Sequence, residues 1–181
     1  MKKITMKRGI GALLIATGML LGGCSTMMAG IPPTLERQAK WAVLPFVNQT
    51  ETPQAGLRAE SIAESLLHAQ GINNLKRYPS NLNTETLFEP MDRKQFDAAL
   101  AWARGEGIQY ALAGSVDEWR YKVGIDGEPA AGVALQAIDV VSGKILWTAS
   151  GGSTGWSRES LSGVAQKLIG KLIAPLITAA R

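Results

Sequence analysis

The chain has 181 residues, a formal net charge of +4 and a pI near 9.3. The excess is local: Lys2, Lys3, Lys7 and Arg8 are the only charged residues before position 24. Without residues 1–23, the 19 cations less those four leave 15, against 15 acids. A neutral domain lacks the electrostatic drive for phosphate-backbone binding, so no nucleic acid is expected as partner. One Cys excludes an intramolecular disulfide and a multi-Cys metal site, and one His excludes a His-rich zinc site and argues against His-based catalysis.

The positive head is followed by an apolar stretch from Ile10 to Leu21, interrupted by Gly11, Thr17 and Gly18. It is shorter than the roughly 20 apolar residues of a spanning helix and has the form of a secretory signal. Leu21-Gly22-Gly23-Cys24 resembles the bacterial lipobox, in which the Cys is acylated and becomes the first residue. Several acyl chains give stable anchoring. Ser25, and not Asp, follows Cys24; by resemblance to known sorting behaviour this favours the periplasmic face of the outer membrane. Residues 1–23 are thus expected to be a signal peptide, 24–38 a lipidated tether with Pro32 and Pro33, and 39–181 a single α/β domain.

Trp41-Ala-Val-Leu-Pro-Phe-Val-Asn48 has strand length and an apolar run, and Pro45 makes it an edge strand or a bulged one. Gly56 to Gln70 is expected to be helical, with Leu57, Ile62 and Leu66 forming its stripe and Gly71 its stop. Residues 78–90 are polar and irregular. Asp92, with Gln95 in the reciprocal position, caps a second helix lined by Phe96, Ala99, Leu100 and Ala103. A three-strand meander follows: Gln109 to Val123, bent near Gly114; Ala131 to Val140; and Lys144 to Ala149. Asp126-Gly127 and Ser142-Gly143 are its turns. Ser150 to Gly155 is expected as a loop, and Ser157 as the cap of a last helix kinked or ended by Pro175. The order β-α-α-β-β-β-α, with a further short strand near 74–78, defines an α/β sandwich: helices packed on a mostly antiparallel sheet.

Gly151-Gly-Ser-Thr-Gly155 matches the G-x-S-x-G nucleophile pattern between a strand and a helix, but the triad order needs a later His and none follows His68. His68 itself, near a helix end and off the apolar stripe, is a solvent-facing or C-capping residue. Asp117, Glu118, Asp126 and Glu128 gather about the meander's hairpin. They form either a solvated face or an acidic docking surface for a cationic ligand. Five of the eleven aromatic residues are Trp. Trp41, Trp119 and Trp147 fall on strands and are expected to be at least half buried, whereas Trp102 lies off its helix's stripe. Trp156 either staples the last helix or contacts a membrane or rim. That helix carries two apolar stripes, Leu161/Val164/Leu168/Leu172 and Ile169/Ile173/Leu176/Ile177. One stripe suffices for a surface helix, so Ile169 and Ile173, with Trp102, are assigned to a subunit interface or lipid, with the domain's own core as the alternative.

Val43-Leu-Pro-Phe-Val-Asn-Gln-Thr50, Gly114-Ser-Val and Ser142-Gly-Lys-Ile-Leu-Trp147 resemble the envelope lipoproteins that include CsgG, LpoB and the N-terminal domain of TolB. A closer match, Gly114-Ser-Val-Asp-Glu-Trp-Arg-Tyr-Lys-Val-Gly-Ile-Asp-Gly-Glu-Pro129 with Gly155-Trp-Ser-Arg-Glu-Ser160, is similar to the PelC family of the Pel exopolysaccharide export system. That resemblance implies a non-catalytic, cofactor-free lipoprotein that forms a dodecameric ring at the outer membrane. The ring would gather a cationic polymer on an acidic face and steer it to a PelB-like β-barrel exporter. By position, Trp156 matches the membrane-belt tryptophan and Asp126 the acidic face, joined by Glu128, Asp117 and Glu118. Two rival classes are an LpoB-like synthase regulator, which uses a long tether, and a CsgG-like pore, which needs long alternating hairpins.

Overall fold

The computed structural model describes residues 25–79, 93–124 and 127–181. The signal segment, Cys24, the cap Asp92 and Asp126 lie outside them. In chain order the elements are β1 (Ser25–Ala29), β2 (Trp41–Asn48), α1 (Ala55–Ala69), β3 (Leu75–Arg77), α2 (Arg93–Gly105), β4 (Tyr110–Tyr121), β5 (Pro129–Asp139), β6 (Ile145–Thr154) and α3 (Leu161–Ala179). The strands make one sheet in the order β1-β6-β5-β4-β2-β3. The meander pairs antiparallel, as does β1 on β6, while β2 runs parallel to both β3 and β4. This is the expected α/β sandwich, with antiparallel pairings in the majority.

The apolar run of β2 reflects cover on both faces. Trp41, Val43 and Phe46 enter the larger core, which α1 and α3 close; Ala42 and Leu44 enter a smaller one, closed by Ala99, Leu100 and Ala103 of α2. Pro45 sits in a bulge: Val43 pairs with Leu112 and Phe46 with Gly114, so the strand spends an extra residue there. β3 pairs only with Trp41 to Val43. Beyond it the Phe46 N–H is taken by the Oε1 of Glu60, at 3.0 Å, from a helix residue only 2% exposed. Glu60→Leu should therefore cost about 1–3 kcal/mol by leaving that buried N–H unpaired, whereas Glu60→Gln keeps an acceptor and most of the stability. Urea unfolding of the two variants checks this, and equal losses would refute it.

Several expectations need correction. The face that α1 buries is Ala55, Ala59, Ala63 and Leu67, with Gly56 and Glu60; Leu57, Ile62 and Leu66 are only partly buried. Small side chains let the helix approach the sheet, and Ile62 and Leu66 pack at the margin of the core. Ile169 and Ile173, assigned to an interface, are fully buried inside this chain's own core. α3 packs on both the sheet and α1, and Leu66 approaches α3 at Gly170, where a Cβ would lie 3.8 Å from its methyls. Pro175 does not end this helix, which continues to Ala179.

The segment expected as a tether is part of the sheet. Ser25–Ala29 is a strand, paired residue for residue with Ser153 to Ala149 of β6. Ser150 to Thr154, expected as loop, is therefore the distal half of β6, with Ser150 to Ser153 held between two neighbours. Gly151 allows this close approach: a Cβ there would lie 2.8 Å from the Thr26 carbonyl oxygen and 3.2 Å from Leu168. The rest of the segment is tied down as well. Buried Trp147 donates its indole N–H to the Gly30 carbonyl and buried Trp41 to that of Glu36, both at 3.0 Å. Leu35 is buried, and its carbonyl accepts from the Arg181 N–H. The guanidinium of Arg37 donates to the carbonyls of Gln70, Ile177 and Ala180 at 2.7, 2.8 and 3.1 Å, joining the ends of α1 and α3.

Candidate membrane-contact site

The register that seats β1 fixes what lies at one end of the sheet. Ser25 is opposite Ser153, and Thr154, the last residue of β6, is opposite Ala130. Gly155 then donates its N–H to the Pro129 carbonyl at 2.8 Å. Only glycine fits at this position, since a Cβ would stand 2.3 Å from Val164 Cγ2 and 2.6 Å from Glu159 Oε2. Trp156 leaves the sheet with its side chain outward, 54% exposed. A staple buried under the last helix is not what this side chain makes.

Its main chain is nevertheless fixed. The Trp156 N–H donates to the Glu159 carboxylate at 2.9 Å, and its carbonyl accepts the Glu159 N–H at 2.8 Å. The same carboxylate accepts from Lys167 Nζ. Lys167 first, and then the Trp156 N–H, hold the Glu159 carboxyl below its usual range. With the folded pKa depressed, the turn's support is present above the ordinary carboxylate range and lost as pH falls through the lower folded value. The helix begins after this turn: Ser160, not Ser157, is the cap, accepting from the Gly163 N–H at 3.1 Å. An open cavity of about 490 Å³ lies beside Trp156, with Ser25, Thr154, Lys167 and Lys171 in its walls.

Among the described residues, Asp117, Glu118 and Glu128 do not form one cluster. Asp117 is exposed and accepts from Ser115 Oγ at 2.9 Å, whereas Glu118 is paired with Arg120 at the same distance. Exposed Glu128 lies at the hairpin tip, where its carbonyl accepts the Lys122 N–H, about 13 Å along β4 from Glu118 at 3.3 Å per residue. Hence Glu128 and Trp156 share one end of the sheet. Trp102 is partly buried and meets Tyr78 edge to face at 5.3 Å. Trp41, Trp119 and Trp147 are buried, as expected. Ser153 lies within β6, paired with Ser25 and Ala131, and His68 is exposed at the end of α1; the G-x-S-x-G pattern gains no partner. No helix among the described residues is long and apolar enough to cross a membrane.

Fold and site together define an α/β sandwich whose N-terminal edge strand, one exposed tryptophan and two lysines meet at the same end of the sheet. The chain belongs to the PelC family. It is 43% identical to the PelC dodecamer of Paraburkholderia phytofirmans, covering 87% of this chain and 99% of that one, with a TM-score of 0.73. A single-substitution variant of that dodecamer in another crystal form matches at 43% identity, 83% and 98% coverage and a TM-score of 0.70. A lipoprotein of Neisseria meningitidis shares the fold, at 18% identity, 77% and 99% coverage and a TM-score of 0.52. No protein-family model and no curated protein matches the chain.

Proposed function

We propose that the chain is a non-catalytic outer-membrane lipoprotein that assembles into a ring of twelve subunits, the number in the Paraburkholderia dodecamer. In this reading the ring guides the cationic Pel polymer from the periplasm to a PelB-like β-barrel exporter. The observation that carries the reading is the 43% identity to a PelC dodecamer over most of the chain. Acylated Cys24 anchors each subunit at the membrane's periplasmic face. Because Ser25 is already in the sheet, the anchor leaves little slack. A regulator that must reach across the periplasm needs a tether, and the observed segment is folded instead. Asp117 and Glu128, with Asp126 and the Arg120-paired Glu118, supply negative charge toward the polymer. Trp102 contributes to the contact between subunits, and Trp156 meets the membrane.

Cells deprived of the chain should release no polymer. Complementation with Cys24→Ser should leave the protein in the soluble fraction and fail to restore export, while wild type should crosslink in detergent to a high multiple of the monomer. Normal release in the deletion, or a strictly monomeric wild type at high concentration, overturns the reading.

A further inference from the structure

We propose that the cavity beside Trp156 binds the anionic headgroup of a phospholipid. The inference rests on the reading of Cys24 as acylated and Trp156 as membrane-facing, and adds a ligand to that surface.

Lys167 and Lys171, one turn apart on α3, are both exposed and both line the cavity. The single carboxylate among the described residues of its wall, Glu159, is already engaged by Lys167 and by the Trp156 N–H. Lys171 forms no ion pair with any described residue. A third cation stands behind the wall, where Lys122 Nζ donates to Thr154 Oγ1 at 2.8 Å. Within the described wall the charge left over is therefore positive, with Glu128 at the same end of the sheet but outside the lining, and the hydroxyls of Ser25 and Ser153 add donors suited to phosphate oxygens. Beneath them lie Val164 and Leu168, an apolar floor that a small free anion cannot use.

Covalent geometry selects a lipid over a soluble anion. Ser25 lines the cavity and is bonded in sequence directly to Cys24, the residue proposed to carry the acyl chains. Acyl chains on Cys24 enter the bilayer within one residue of the cavity, which places Lys167, Lys171 and the exposed indole at headgroup depth. Tryptophan and lysine both favour that layer, the lysine ammonium remaining among the phosphates. Each lysine close to an anionic surface strengthens binding about fivefold.

The test uses the lipidated protein in neutral detergent, titrated with phosphatidylglycerol or phosphatidylcholine, with bound lipid counted by native mass spectrometry. Phosphatidylglycerol should bind at least about tenfold more tightly. Lys171→Gln, which preserves the Lys167–Glu159 pair, should cut that preference about fivefold. Lys167→Gln/Lys171→Gln should abolish it while keeping the assembly mass. Equal binding of the two lipids by wild type, or full preference in the double variant, overturns the proposal. Displacement of the lipid by excess inorganic phosphate alone also overturns it, because the site then takes a free anion. Membrane contact is scored separately, by the fluorescence that Trp156→Phe removes and its quenching by acyl-brominated phosphatidylcholine. Quenching without headgroup preference sinks the lipid site and leaves the membrane reading intact; preference without quenching does the reverse.

Discussion

Replacing Arg37 with Ala should lower the stability of the domain by about 3 kcal/mol, a large share of the total for one residue outside the expected fold. Its guanidinium donates to three carbonyls, those of Gln70, Ile177 and Ala180, at the C-terminal ends of α1 and α3. Such ends carry unsatisfied acceptors and negative partial charge, which a cation placed there relieves. Charge-assisted bonds are worth about 1.5–3 kcal/mol each, but Arg37 is only partly buried, so water replaces part of what is lost. Arg37→Lys should recover little, since one ammonium cannot span three divergent carbonyls as the planar fork does. The Arg37 N–H also donates to the Arg181 carbonyl at 2.7 Å, and this bond survives in both variants. Urea unfolding measures the effect; a shift under about 0.5 kcal/mol would mean that the clamp is solvated in solution.

What the sequence withheld here has a physical cause. β1 is exposed along its whole length and has no apolar alternation, with Met27 and Met28 adjacent. It is a strand because β6 offers an open edge 120 residues away, and local pattern does not encode a long-range pairing. The glycines of β6 likewise looked like a loop until their second neighbour was known. In α1 a hydrophobic scan weights Leu57, Ile62 and Leu66, whereas contact with the sheet selects for small Ala55, Ala59 and Ala63. For α3 the pattern showed how much apolar surface exists but not what covers it, and the sheet and α1 cover it together. By contrast, features set by near neighbours were legible. Gly127 and Gly143 have φ of 52° and 71° at the expected turns, and Pro45 made the bulge that a missing donor demands. At the site, the outward Trp156 was legible as an off-core aromatic; Lys167 and Lys171 were not singled out. Their spacing at i and i+4 after Trp156 was the available signal, but without the β1–β6 register nothing connected them to Cys24.

Trp156→Ala should abolish polymer release while leaving the melting temperature within about 2 °C of wild type. The two effects separate because the side chain and the main chain at this position do different work. The turn is held by the Trp156 N–H and carbonyl, both bonded to Glu159, and these groups persist in the alanine variant. Gly155, packed against Val164, keeps the chain's exit from β6 unchanged. Little apolar burial is lost, since the indole is 54% exposed. Truncating a buried aromatic is different: Trp119→Ala, at 2% exposure, should cost about 3–5 kcal/mol and serves as the control. The cost at Trp156 falls on the membrane side, where an indole buries its ring among headgroups and keeps its N–H hydrogen-bonded. Trp156→Phe keeps the ring but not the donor and should release an intermediate amount of polymer. Thermal unfolding of the purified variants beside a secretion assay decides the matter. A melting temperature lowered as far as that of Trp119→Ala would make Trp156 a packing residue, and undiminished release would remove it from export.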